Sequence, residues 1–127
     1  DTGGGMGMRA GLGKKGTKKV GQMKLDSGAS TGFCKKEDIR TNVMRRAGAI
    51  RACYEAQLQI HESLAGKTTI RWTIDGEGRV SEASIASSTL GNANVEQCVL
   101  RVIRAMRFQK PESGVCIVQW PFVFNPG

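Results

Sequence analysis

The stretch TTIRWTIDGEGRVSEASIASS, residues 68–88, admits few folds. Ile70, Trp72 and Ile74 alternate with Thr69, Arg71 and Thr73, which predicts a strand with one buried face. Asp75-Gly76-Glu77-Gly78 then carries the residues of a hairpin turn. Residues 79–88 form the return strand, but Val80 is out of phase with Ala83 and Ile85. A bulge near Glu82 restores the phase. A lone hairpin is at best marginally stable in water, so the rest of the chain must cover its apolar face.

Helices are expected on both sides of the hairpin. Residues 37–65 read as one helix. Glu37 and Asp38 suit its first turn, where carboxylates meet the positive end of the helix dipole. Ile39, Val43, Ala47, Ile50, Tyr54 and Leu58 make its apolar stripe, with Cys53 at the margin and Gly66 just past the end. After the hairpin, GNANVEQCVLRVIRAMRF (91–108) offers Asn92 or Asn94 as an N-cap. Val95, Cys98, Val99, Val102 and Met106 form its stripe, and Arg101, Arg104 and Arg107 point toward solvent. QKPESG (109–114) is a turn, and VCIVQWPFVF (115–124) is the last strand. Cys116, Val118, Trp120, Phe122 and Phe124 share one face of it; Val115, Ile117 and Gln119 share the other.

The resulting order is α-β-β-α-β, an α+β fold. A helical crossover returns the third strand parallel to the second. A fully antiparallel three-stranded sheet then has the order 2-1-3, with both helices on one face. Pro121 places the last strand at an edge, because proline has no N–H for a central ladder.

Residues 1–36 contrast with this domain (37–127). Ten of the seventeen glycines fall within residues 1–32, and few residues there could build a core. The segment reads as a flexible Gly/Lys-rich linker, with an r.m.s. span of ~30 Å and a stretched reach of ~100 Å. GLGKKG (11–16) matches a dinucleotide fingerprint by spacing, but no strand precedes it and no amphipathic helix follows. The chain starts without a methionine inside a glycine run, which reads as a piece of a longer protein. Any anchor or export signal is then expected upstream. No run approaches the ~20 apolar residues of a membrane-spanning helix.

Charge follows the same division. The net charge is +8, of which residues 1–36 hold +6 and residues 37–127 hold +2. The folded part is thus nearly balanced, and it lacks the aromatic–basic alternation that stacks bases. A nucleic-acid partner is not expected.

The four cysteines, Cys34, Cys53, Cys98 and Cys116, include no short metal knuckle. An even number fits two disulfides in an oxidising compartment. Four buried thiols in a cytosolic protein fit as well. His61 is the single histidine. It lies eight residues from Cys53, ~12 Å along a helix, too far for a catalytic pair on that helix. Asp75 and Glu77 are close together but sit in a glycine-rich turn, with nothing to raise either pKa. No catalytic motif occurs, so neither an enzyme nor a cofactor is expected. What remains is the exposed edge of the last strand, which could accept a partner strand, pair in a homodimer, or bind nothing.

Several of these residues together resemble a known family. They are Cys53-Tyr54-Glu55, Gly66-Lys67, IDGEGRV (74–80), the serines 87–88, VEQCV (95–99), MRFQKP (106–111) and WPFVF (120–124). Across residues 39–124 the pattern is similar to the TonB C-terminal domain superfamily, of the AgmX/PglI type found in adventurous gliding motility proteins of myxobacteria. Met106, Gln109 and Trp120 depart from that pattern, and Cys34 and Cys116 lie outside it.

The resemblance implies a periplasmic domain at the end of an inner-membrane-anchored protein. Such a domain couples an inner-membrane motor, reached through upstream regions, to an outer-membrane or periplasmic protein. It does so by gripping an extended TonB-box-like segment, in gliding motility or transport energisation. On that basis the last strand is expected to present outward backbone groups at Val115, Ile117 and Gln119, with Pro121 ending the ladder. Transmitting force also requires a domain that does not unravel. A Cys53–Cys98 disulfide between the helices and a Cys34–Cys116 disulfide at the edge strand are the expected cross-links. The alternative is a module that binds peptidoglycan or another anionic polymer through its basic tail. A thiol oxidoreductase would need an exposed, low-pKa cysteine.

Overall fold

The structure is a computed structural model that describes residues 19–25 and 28–127. GLGKKG and most of the predicted linker lie outside the described residues. The elements run β1 (Gly21–Leu25), β2 (Ala29–Thr31), α1 (Lys36–Arg45), α2 (Ala47–Leu58), β3 (Gly66–Ile74), β4 (Val80–Ser88), α3 (Ala93–Arg104) and β5 (Cys116–Pro126). The fold is α+β, with three helices and five antiparallel strands among the described residues.

The hairpin forms as its turn residues predict. The Asp75 N–H donates to the Arg79 carbonyl (2.8 Å), and the Gly78 N–H donates to the Asp75 carbonyl (3.0 Å). Thr73 pairs with Glu82 and Ile74 with Val80, so Ser81 is the extra residue of a bulge beside Glu82. A second bulge was not expected: Thr69 pairs with Ser87 and Ile70 with Ile85, leaving Ala86 unpaired.

β3 lies between β4 and β5 and pairs with β5 along its whole length, from Gly66↔Phe124 to Ile74↔Cys116. One sheet face carries Ile70, Trp72, Ile74, Cys116, Val118, Trp120, Phe122 and Phe124, all buried in a single core cluster with the apolar sides of the helices. Lys67, Arg71 and Gln119 on the other face are exposed.

The predicted first helix is two helices. Arg46 takes φ −99°, ψ 5°, and its N–H is shared between the Asn42 and Val43 carbonyls. Gly48, just beyond, is a weak helix former, which favours a break there. Ile39 and Val43 of α1, and Ile50, Tyr54 and Leu58 of α2, still point into one core. In α3 the Asn92 side chain caps the helix by accepting from the Val95 N–H (3.0 Å). Its buried stripe is Val95, Val99, Leu100 and Ile103, so Cys98 and Val102 lie at the margin rather than the centre.

The main correction concerns residues 21–31, assigned above to the linker. Both β1 and β2 fall within them and pair antiparallel with β5. The three predicted strands lie as β4-β3-β5, with the first in the middle, but the sheet has five strands rather than three: its order is β1-β5-β3-β4, with β2 also on β5. The folded domain therefore starts well before residue 37.

Candidate functional site: the outer edge of β5

β5 alternates large apolar residues inward with smaller or polar residues outward, as a strand covering a core should. One flank is held by β3. The other flank was expected to be free at Val115, Ile117, Gln119 and Pro121. It is not. Thr31 pairs with Ile117, Ser30 with Val118 and Ala29 with Gln119. Five further pairs run from Leu25↔Phe122 to Gly21↔Pro126. Val115 precedes the strand and is exposed.

Pro121 still has the role its chemistry demands. It stands opposite Thr69 of β3. On the outer flank, Trp120 and Pro121 are the two residues between the stretch that β2 pairs and the stretch that β1 pairs. The missing N–H thus falls in the interruption between the two short strands. Gly28 lies over the Trp120 ring there, where an added Cβ would come within 2.1 Å of Cε3.

Disulfide Cys34–Cys116 fastens the end of the β2 segment to the first residue of β5 (Cα–Cα 6.2 Å). Disulfide Cys53–Cys98 joins α2 to α3 (Cα–Cα 5.7 Å). Both cross-links join the cysteines expected above, and no thiol remains free for redox chemistry in this state.

β1 is held against α2 by a small set of contacts. The Gly21 N–H donates to the Glu55 carboxylate (2.9 Å). The Lys19 N–H donates to Gln59 Oε1, and Gln59 Nε2 donates back to the Lys19 carbonyl, both at 2.8 Å. Lys19 Nζ also meets Glu62 at 3.0 Å, but both side chains are exposed and such pairs contribute little. Met23 and Leu25 pack, half-buried, against the core. Gly21 sits against Tyr54, where a Cβ would approach Cε2 to 2.4 Å. Tyr54 cannot yield, because its hydroxyl donates to the Leu64 carbonyl and its ring packs on Phe124 with centroids 5.0 Å apart. Burial pushes the Tyr54 phenol above its ordinary pKa.

The far edge of the sheet is less suited to a partner. β4 carries two bulges, which twist an edge away from pairing. Arg104 donates to the Ala83 carbonyl (3.3 Å). Just before β4, Arg79 bridges to Arg107, and the Phe108 N–H donates to the Gly78 carbonyl (2.8 Å).

Asp75 Oδ1 accepts from the Glu77 N–H (2.9 Å) and the Arg79 N–H (3.0 Å). The hydrogen bond from Arg79, then that from Glu77, holds its carboxyl below the usual range. That is the opposite of what a general acid needs. His61 is exposed at the end of α2. Among the described residues no three His, Cys, Asp or Glu side chains converge in a metal-ligand cluster. No described helix is long and apolar enough to cross a membrane.

The signal for β1 was present in the sequence: Gly21, Met23 and Leu25 alternate with Gln22 and Lys24. Two apolar residues in a glycine-rich run are a weak signal beside that composition. Comparison of the chain with family models, curated proteins and solved structures gave no match.

Proposed function

We propose that this is an extracytoplasmic domain of the TonB C-terminal type, which holds an extended segment of a partner protein by strand addition at the outer edge of β5. In the full assembly it would couple an inner-membrane motor to an outer-membrane or surface partner from the periplasm. It would act without catalysis or cofactor. One observation carries the reading: that edge of β5 takes up two short extended segments by main-chain pairing, 21–25 and 29–31. A surface complementary to extended peptide needs few particular side chains from its ligand. Two disulfides also suit an oxidising compartment.

A photo-crosslinking residue at Asn125, on the β5 edge opposite Gln22, tests this in intact cells. The expected product is an adduct with an envelope protein, mapping to an extended segment of it. Crosslinks to this chain alone, in cells where the coupled process is running, would argue against the proposal.

The alternative is an anionic-polymer module. It draws on exposed Lys35, Lys36, Arg40 and Arg45 along α1, in addition to the basic residues before β1. Sedimentation with purified peptidoglycan separates the two readings. Binding that disappears at about 0.5 M salt, where screening is short-ranged, favours the polymer. Salt-insensitive binding to a protein partner favours strand addition.

A further inference from the structure

We propose that β1, not β2, is the exchangeable occupant of the β5 edge, and that it marks the place of a partner segment of the form Gly-x-Φ-x-Φ, where Φ is a large apolar residue. This rests on the strand-addition reading and narrows it to one stretch, Phe122–Pro126, and one kind of ligand.

β2 cannot leave. Its last residue, Thr31, pairs beside Cys116, and Cys34 is bonded to Cys116. A tether of three residues keeps β2 at a high effective concentration against its own partner. No cross-link holds β1. Its five register pairs, two half-buried apolar side chains and the hydrogen bonds to Glu55 and Gln59 are all reversible. An equivalent segment arriving from outside can make the same contacts.

Those contacts define what the segment must be. Its first residue must be glycine, because Tyr54 occupies the Cβ position and is fixed by Leu64 and Phe124. The N–H of that glycine meets the Glu55 carboxylate, which favours a donor there. The third and fifth residues, in the places of Met23 and Leu25, face the core and must be apolar. The second and fourth, in the places of Gln22 and Lys24, are exposed and unrestricted. Trp120 and Pro121 have no outer pairs, so the ladder stops after the fifth residue. The docked β1 competes with any such ligand, so apparent affinity is reduced by the fraction of molecules in which β1 is bound.

The test uses the full chain with both disulfides intact and a fluorescent heptapeptide copying residues 19–25, Lys-Val-Gly-Gln-Met-Lys-Leu. Gly21→Leu should evict β1 and tighten peptide binding about tenfold or more, as the competent fraction rises. The double variant Met23→Ser/Leu25→Ser weakens β1 without touching Tyr54 and should act in the same direction. In both, amide exchange at Val123 and Asn125, whose N–H groups share the outer flank with that of Gly127, should speed up and then be slowed again by the peptide. A peptide with leucine in place of its glycine should bind at least about tenfold more weakly. Equal binding of the two peptides overturns the recognition rule. Protection appearing along 80–88 instead overturns the assignment to β1's place while leaving strand addition standing. If the Val123 and Asn125 amides exchange freely in both variants and no strand gains protection from any peptide, strand addition itself falls.

Discussion

Tyr54 is fully buried, and its hydroxyl donates to the Leu64 carbonyl beyond the end of α2. Tyr54→Phe keeps the ring against Phe124 but leaves that carbonyl without its donor. A loss of ~1–3 kcal/mol is expected in urea unfolding, the cost of an unmade buried hydrogen bond. Because burial raises the Tyr54 pKa, the folded state keeps its proton longer than the unfolded chain. The linked stability is therefore complete below the unfolded value of ~10 and falls as pH rises through and above it. Asp75 has the opposite sign. Its folded pKa is depressed by the Arg79 and Glu77 backbone donors. The stability it contributes is present above the unfolded value of ~3.9 and lost as pH falls through the folded one. Thermal unfolding followed between pH 5 and 2 should show a steeper decline for the native chain than for Asp75→Asn.

Among the elements, the hairpin and α3 follow from local chemistry. Turn residues, strand alternation and a capping asparagine act within a few positions, so 75–78, the bulge beside Glu82 and the cap at Asn92 could be read directly. β1 and β2 could not, because they exist only through pairing with β5, about a hundred residues away in the chain. Glycine at 21 and 28 looked like linker composition. Its reason is contact with Tyr54 and Trp120, and contact partners across the fold leave no local trace. Pro121 shows the same limit: in the sequence its missing N–H points to a free edge, whereas in the fold it falls in a gap between two occupants of that edge. The two cross-links divide their effects by element. Cys53→Ser/Cys98→Ser opens a link spanning 45 residues between α2 and α3 and should lower global stability by ~4 kcal/mol in the loop-entropy account. Cys34→Ser/Cys116→Ser should in addition act locally. The Ile117 and Gln119 amides, on the flank facing β2, should then exchange faster than those of β3, as β2 gains freedom to detach.

Over the whole molecule, the two disulfides set which parts of the chain can lengthen. Consider the chain stretched between Lys19 and Gly127. Everything between Cys34 and Cys116, a separation of 82 residues, is bypassed by a single covalent bond. Tension arriving through β1 and β2 passes straight into β5, and the three helices and the hairpin stay off the line. At ~3.6 Å per residue, that bypassed loop stores ~300 Å of contour length. Single-molecule stretching under oxidising conditions should therefore never release that length, however far the terminal strands peel. With reductant present, the same pull should show an added extension of about that size. The Cys34–Cys116 bond thus keeps the helices and the hairpin from lengthening the chain along the axis that ends at the outer edge of β5.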